Sequence, residues 1–185
     1  MGFGGFYGFQ EHPAGVLDGI ERLSTLASPL WHTTSVTRNA AARQVAEISN
    51  RPTTQKAVGA DALFVLPLVH LAGLALAASR NGEALEFSAR ALRLNPLNLP
   101  RAWFYHCVAS FDAGHVDAAE KSARRMIEED KKHGFPRAEY LLGVVLARRG
   151  ESAEAAAHLR SFLRLAPDGA DAGRARQLAA EMERR

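Results

Sequence analysis

Three alanines set the frame for this chain. Ala84, Ala119 and Ala155 each stand near the start of a helix-compatible stretch, and they lie 35 and 36 residues apart. Each follows an apolar stretch and a break, at Asn81-Gly82, Ala113-Gly114 and Gly150. Each stretch then runs into a second break, at Asn95-Pro96, Gly134-Phe135-Pro136 and Ala166-Pro167-Asp168-Gly169. A helix–break–helix unit with a period in this range belongs to stacked architectures. One such pair cannot bury its apolar face alone, so neighbouring pairs must cover it.

The composition agrees with helices. Of 185 residues, 47% are hydrophobic but only 8% aromatic, and alanine and leucine supply much of the apolar content. The 23 basic and 20 acidic residues are interspersed, which predicts a solvated mixed surface and no nucleic-acid partner. Cys107 is the single cysteine, so neither an intrachain disulfide nor a cysteine-based zinc site can form. The opening MGFGGFYGFQEHP has no lysine or arginine ahead of its short apolar stretches, unlike a secretory signal. These features lead us to expect a cytoplasmic protein.

The chain divides at about residue 60. Residues 1–60 read as a flexible Gly/Phe-rich tail followed by one or two short helices, Val16 to Trp31 and Asn39 to Ile48. Residues 61–185 read as regular helices: an apolar run at 62–78, then Glu83 to Leu94, Trp103 to Phe111, Asp117 to Ile127, Ala138 to Arg148, Ser152 to Leu165 and Asp171 to Met182. Asp117 and Glu120 have the spacing of a capping box.

The 35- and 36-residue spacing, with its signature residues, resembles the tetratricopeptide family over roughly residues 65–185. Leu142-Gly143 followed by Leu146 matches the Leu-Gly-x-x-Tyr element, with leucine for tyrosine. Ala155 with Leu159 matches Ala-x-x-x-Phe, and Pro167 falls at the closing proline. The tryptophan position holds Glu139 here but Trp103 in the second unit, where Cys107 takes the small-residue position and Lys131 replaces the proline. The first unit has Leu68, Leu71, Ala72, Ala84, Ser88 and Pro96 in register. The resemblance implies an all-α solenoid of about three antiparallel helix pairs with a C-terminal capping helix.

It also implies a function: a non-catalytic scaffold holding a peptide or protein in the groove lined by the first helix of each pair. The corresponding groove residues are Arg101, Phe104, Val108 and Phe111 in the second unit and Arg137, Tyr140, Val144 and Arg148 in the third. Arginines beside aromatics suit an acidic partner. Phe104 and Phe111 serve equally well as contacts to a neighbouring helix. Relatives that grip a chaperone's C-terminal carboxylate need further basic positions, and Leu141 stands where one arginine would be. In the first unit the face is Leu66, Val69, Gly73 and Leu76, all apolar. It needs a cover, from residues 16–50, an upstream unit or a second copy of the chain.

No residue pattern points to catalysis, a cofactor or a metal. Cys107 sits where the unit wants a small core residue, His115 and His158 read as surface residues, and no histidine falls in a metal motif such as H-E-x-x-H. Two other readings stay open. The uncharged run 62–78 has the minimum length for a membrane anchor, and the helices would also suit a regulatory part of a longer enzyme.

Overall fold

The computed structural model describes residues 65–97, 99–130, 132 and 134–185. The N-terminal tail, the two short helices expected before residue 50, the first three residues of the 62–78 run and Lys131 lie outside the described residues. The rest is all-helical. Among the described residues there are seven helices and no strand: α1 (Val65–Ala77), α2 (Asn81–Leu94), α3 (Pro100–Asp112), α4 (Val116–Glu129), α5 (Arg137–Arg149), α6 (Ser152–Leu165) and α7 (Ala172–Glu183).

The helices start and stop for local reasons. Pro100 opens α3, where its missing N–H costs nothing and its fixed φ is already helical. Asn95, next to Pro96, is extended and ends α2. Three equivalent turns join α1 to α2, α3 to α4 and α5 to α6. Each begins with a left-handed residue: Ser79 (φ 59°), Gly114 (φ 80°) and Gly150 (φ 85°). The next residue in each, Arg80, His115 and Glu151, has φ near −90° and ψ near 66°. Its N–H donates back to the carbonyl of Ala75, Ser110 or Leu146, at 2.8, 2.8 and 3.0 Å. This is the six-to-one closure of a helix end through a left-handed residue, and it satisfies carbonyls that the helix leaves orphaned.

Two expectations need correction here. The Asn81-Gly82 dipeptide is not the break; both residues lie in the first turn of α2, and the chain turns at Ser79. Asp117 and Glu120 form no capping box. His115 is the cap residue, so both carboxylates lie within α4, and they pair with Arg149 across to α5; Glu120 also pairs with Arg124.

Turns of two or three residues between helices packed side by side make antiparallel pairs. Each even-numbered helix packs against the odd-numbered helix before it and the one after it. The odd-numbered helices also touch in succession, α1 with α3, α3 with α5 and α5 with α7. The result is two layers with one continuous core between them. Ala84, Ala119 and Ala155 are fully buried in that core, as are Ala72 and Cys107 one helix earlier. Gly143, the counterpart of Ala72 and Cys107, lies so close to α6 that a Cβ would stand 2.7 Å from Leu159 Cγ.

Charge is spread unevenly over the helices. Helix α1 carries no charge, whereas α4 and α6 turn charged side chains outward. Arg124 donates to Glu120 at 2.7 Å and to Glu154 at 2.8 Å, and Arg149 reaches Asp117, Glu120 and Glu151. These links tie α4 to α5 and α6 across the pair boundary. His158 belongs to this layer, as a half-buried residue: its Nδ1 lies 2.6 Å from Glu139 Oε2. At 13 residues, α1 spans roughly 20 Å, against about 30 Å of hydrocarbon. No helix among the described residues is long and apolar enough to cross a membrane.

Candidate functional site

The odd-numbered helices open a cleft of about 310 Å³ between α1 and α3. His70, Gly73 and Leu74 of α1 form one side, Arg101, Phe104 and Tyr105 of α3 the other, and Phe135 closes one end. The contributions follow helical geometry. Residues 70, 73 and 74, like 101, 104 and 105, stand at i, i+3 and i+4, the spacing that places side chains on one face. Phe104 meets Phe135 edge-on, with ring centroids 5.8 Å apart and planes at 87°, and meets Tyr105 at 5.7 Å. Gly73 makes room for this wall: a Cβ there would sit 2.9 Å from the Tyr105 hydroxyl oxygen.

The cleft is apolar inside and polar at its rim. Arg101 and His70 are exposed. Arg101 forms no ion pair among the described residues. Burial pushes the Tyr105 phenol up from its ordinary range, and the nearby Arg101 charge only partly opposes this. Tyr105 is therefore neutral at physiological pH and brings no negative charge to the guanidinium.

A second cleft, about 350 Å³, lies between α5, the end of α6 and the start of α7. Arg137 and Asp171 form its polar wall, with Phe135, Pro136, Phe162 and Ala166 around them. Here the arginine is committed. Its Nε and Nη2 both donate to Asp171 Oδ2, at 2.8 and 2.6 Å, and the Asp171 side chain is only 4% exposed. Tyr140 lies beneath, stacked at a tilt on Phe162 with centroids 5.2 Å apart. Burial, reinforced by the Asp171 charge, holds its phenol far above the ordinary range, and its hydroxyl has no hydrogen-bond partner among the described residues.

Of the residues the sequence assigned to the groove, Arg101 and Phe104 share the first cleft and Arg137 lines the second. Val108, Phe111, Tyr140 and Val144 line neither, and their side chains are buried in the core, as is most of Phe104. Arg148 is exposed near the end of α5. Sequence reasoning missed His70, Leu74, Tyr105, Phe135 and Asp171. His70, three residues before Gly73, Leu74, four after His70, and Tyr105, four after Arg101, were within reach of the pattern. Phe135, which lies between helices, carried no periodic signal.

The remaining reactive side chains are packed into the structure. Cys107 is fully buried, and desolvation pushes its thiol well above the ordinary range, so it stays protonated and inert. Ser122 donates to the carbonyl of Ala118 at 2.8 Å and lies 2.9 Å from His106 Nδ1. With its own proton used, Ser122 accepts from Nδ1–H, which fixes the tautomer of the imidazole. Burial lowers the His106 pKa and favours that neutral form. This serine and histidine join α3 to α4 as structural partners. No protein-family model matches the chain, and no curated protein gives a significant match.

Proposed function

We propose that residues 65–185 form a tetratricopeptide-type array, an α-solenoid capped by α7, that works as a non-catalytic module binding a peptide or protein along its odd-numbered helices. The observation that carries this reading is the cleft between α1 and α3, an apolar slot with aromatic walls and an exposed arginine at its rim. Pockets of this size with few polar groups suit side chains of a partner. The array reading is supported by the turn geometry recurring at Ser79, Gly114 and Gly150, 35 and 36 residues apart. It is also supported by the small buried residues Ala72, Cys107 and Gly143 at the same spacing.

Peptide display against the whole chain tests the binding role. Selected peptides are expected to protect backbone amides of α1 and α3 from hydrogen exchange. Protection confined to α2, α4 and α6, or failure to select any peptide, would overturn the reading.

A further inference from the structure

The chain contains its own template for what Arg101 binds. Leu66, Arg101, Arg137 and Asp171 occupy corresponding places at the starts of successive odd-numbered helices, 35, 36 and 34 residues apart. The last spacing is supported by burial: Ala138, Leu141, Val144 and Val145 of α5 correspond to Ala172, Ala175, Leu178 and Ala179 of α7, all buried. Arg137 finds a carboxylate at the cap of the next helix in the series, Asp171, and grips it with two nitrogens. For Arg101 the next member is Arg137, a like charge already committed. The chain thus places a guanidinium at the mouth of the first cleft, and no carboxylate among the described residues pairs with it.

We infer that the cleft between α1 and α3 takes a carboxylate from a partner peptide, held by Arg101, with an adjacent large apolar side chain seated against Phe104 and Phe135. The inference rests on the proposed binding role of this face. Guanidinium–carboxylate pairing supplies direction and the aromatic walls supply buried area. The exposed His70 imidazole lines the α1 side of the same cleft. Gly73 keeps the floor open, since any side chain there would displace Tyr105. The Arg137 cleft cannot serve the same ligand, because Asp171 already fills the anion position.

Two capped dipeptides test this on the full chain: N-acetyl-Asp-Phe-amide and N-acetyl-Asn-Phe-amide, titrated into isotopically labelled protein and followed by NMR. The aspartyl peptide is expected to shift the amides of Gly73, Leu74, Arg101, Tyr105 and Phe135. It should bind at least about fivefold more tightly than the asparaginyl peptide, which corresponds to roughly 1 kcal/mol. The advantage should shrink as salt is raised. Arg101→Gln should abolish it, and Arg93→Gln, at an exposed arginine of α2, should leave it unchanged. Because Arg101 is exposed and forms no ion pair among the described residues, its replacement is expected to leave the fold in place. Equal binding of the two peptides in this cleft overturns the carboxylate assignment while leaving the face a peptide site. Shifts mapping elsewhere on the odd-numbered helices overturn the assignment to this cleft. If neither these peptides nor displayed ones bind that face, the proposed function fails as well.

Discussion

Arg101 and Arg137 hold the same place on successive odd-numbered helices, yet one faces solvent and the other is locked to Asp171. The difference originates one helix further along, where Asp171 answers Arg137 but Arg137 cannot answer Arg101. It teaches that two corresponding positions can carry the same residue, one closed by a carboxylate of the chain and the other facing solvent. The largest test of this contrast is to neutralise each arginine in turn. Arg137→Gln strands a carboxylate that is 4% exposed and should cost about 3 kcal/mol in urea denaturation. Arg101→Gln should change stability by less than about 0.5 kcal/mol. Equal costs for the two would show that Arg101 is a structural residue and would remove the case for an open site.

The same contrast runs through the core. At corresponding positions of the three pairs the chain sets Ala72 and Ser88, Cys107 and Ala123, and Gly143 and Leu159, all buried, and in the third these two residues meet closely. Where the second helix carries its largest residue, the first carries none. Gly143→Ala puts a Cβ 2.7 Å from Leu159 Cγ and 3.2 Å from the Ala155 carbonyl, and overpacking of this kind should cost about 2 kcal/mol. In a Leu159→Ala background the same substitution should cost far less, a coupling of at least about 1 kcal/mol in a double-mutant cycle. Additive costs would mean that the glycine is required for its backbone and not for its size.

Tyr140 sharpens the comparison from the other side. Its counterpart 36 residues earlier is Phe104, so the second pair already shows the position without a hydroxyl. The Tyr140 hydroxyl is buried without a partner, which carries a desolvation cost that nothing offsets. Tyr140→Phe should therefore raise stability by about 1 kcal/mol, read as a higher midpoint at unchanged denaturant slope. A loss of stability would show that the hydroxyl is satisfied in solution.

Much of this architecture was readable in the residues, and the failures have physical causes. Ser152 to Leu165 emerged as expected because Gly150 and Ala166-Pro167 bracket it with strong signals. Helix periodicity also grouped Arg101 with Phe104. What periodicity cannot say is whether a face is covered, since that depends on how closely the next helix approaches. Val108 and Val144 share the stripe of the groove residues yet are fully buried. Phe135 lies between helices, where no helical period marks it, and Asp171, at the cap of α7, decides which arginine is committed. His158 read as a surface residue because its flanking residues are polar, but its partner Glu139 comes from another helix.

The smallest effect concerns the first turn, where local sequence gave the wrong position. Asn81-Gly82 has the composition of a break, but counting back five residues from Ala84, as Gly114 and Gly150 stand from Ala119 and Ala155, leads to Ser79. A serine there adopts the left-handed conformation that its two counterparts give to glycine. For a residue with a Cβ that conformation costs roughly 1–2 kcal/mol, partly recovered because serine has less freedom than glycine to lose on folding. Ser79→Gly should therefore gain only about 0.5–1 kcal/mol, and Gly150→Ser should lose a similar amount. If the three turns are equivalent, exchanging the two residues in one chain should leave the sum near zero. A gain at residue 79 without a matching loss at residue 150 would show that the first turn is strained for a reason its counterparts do not share.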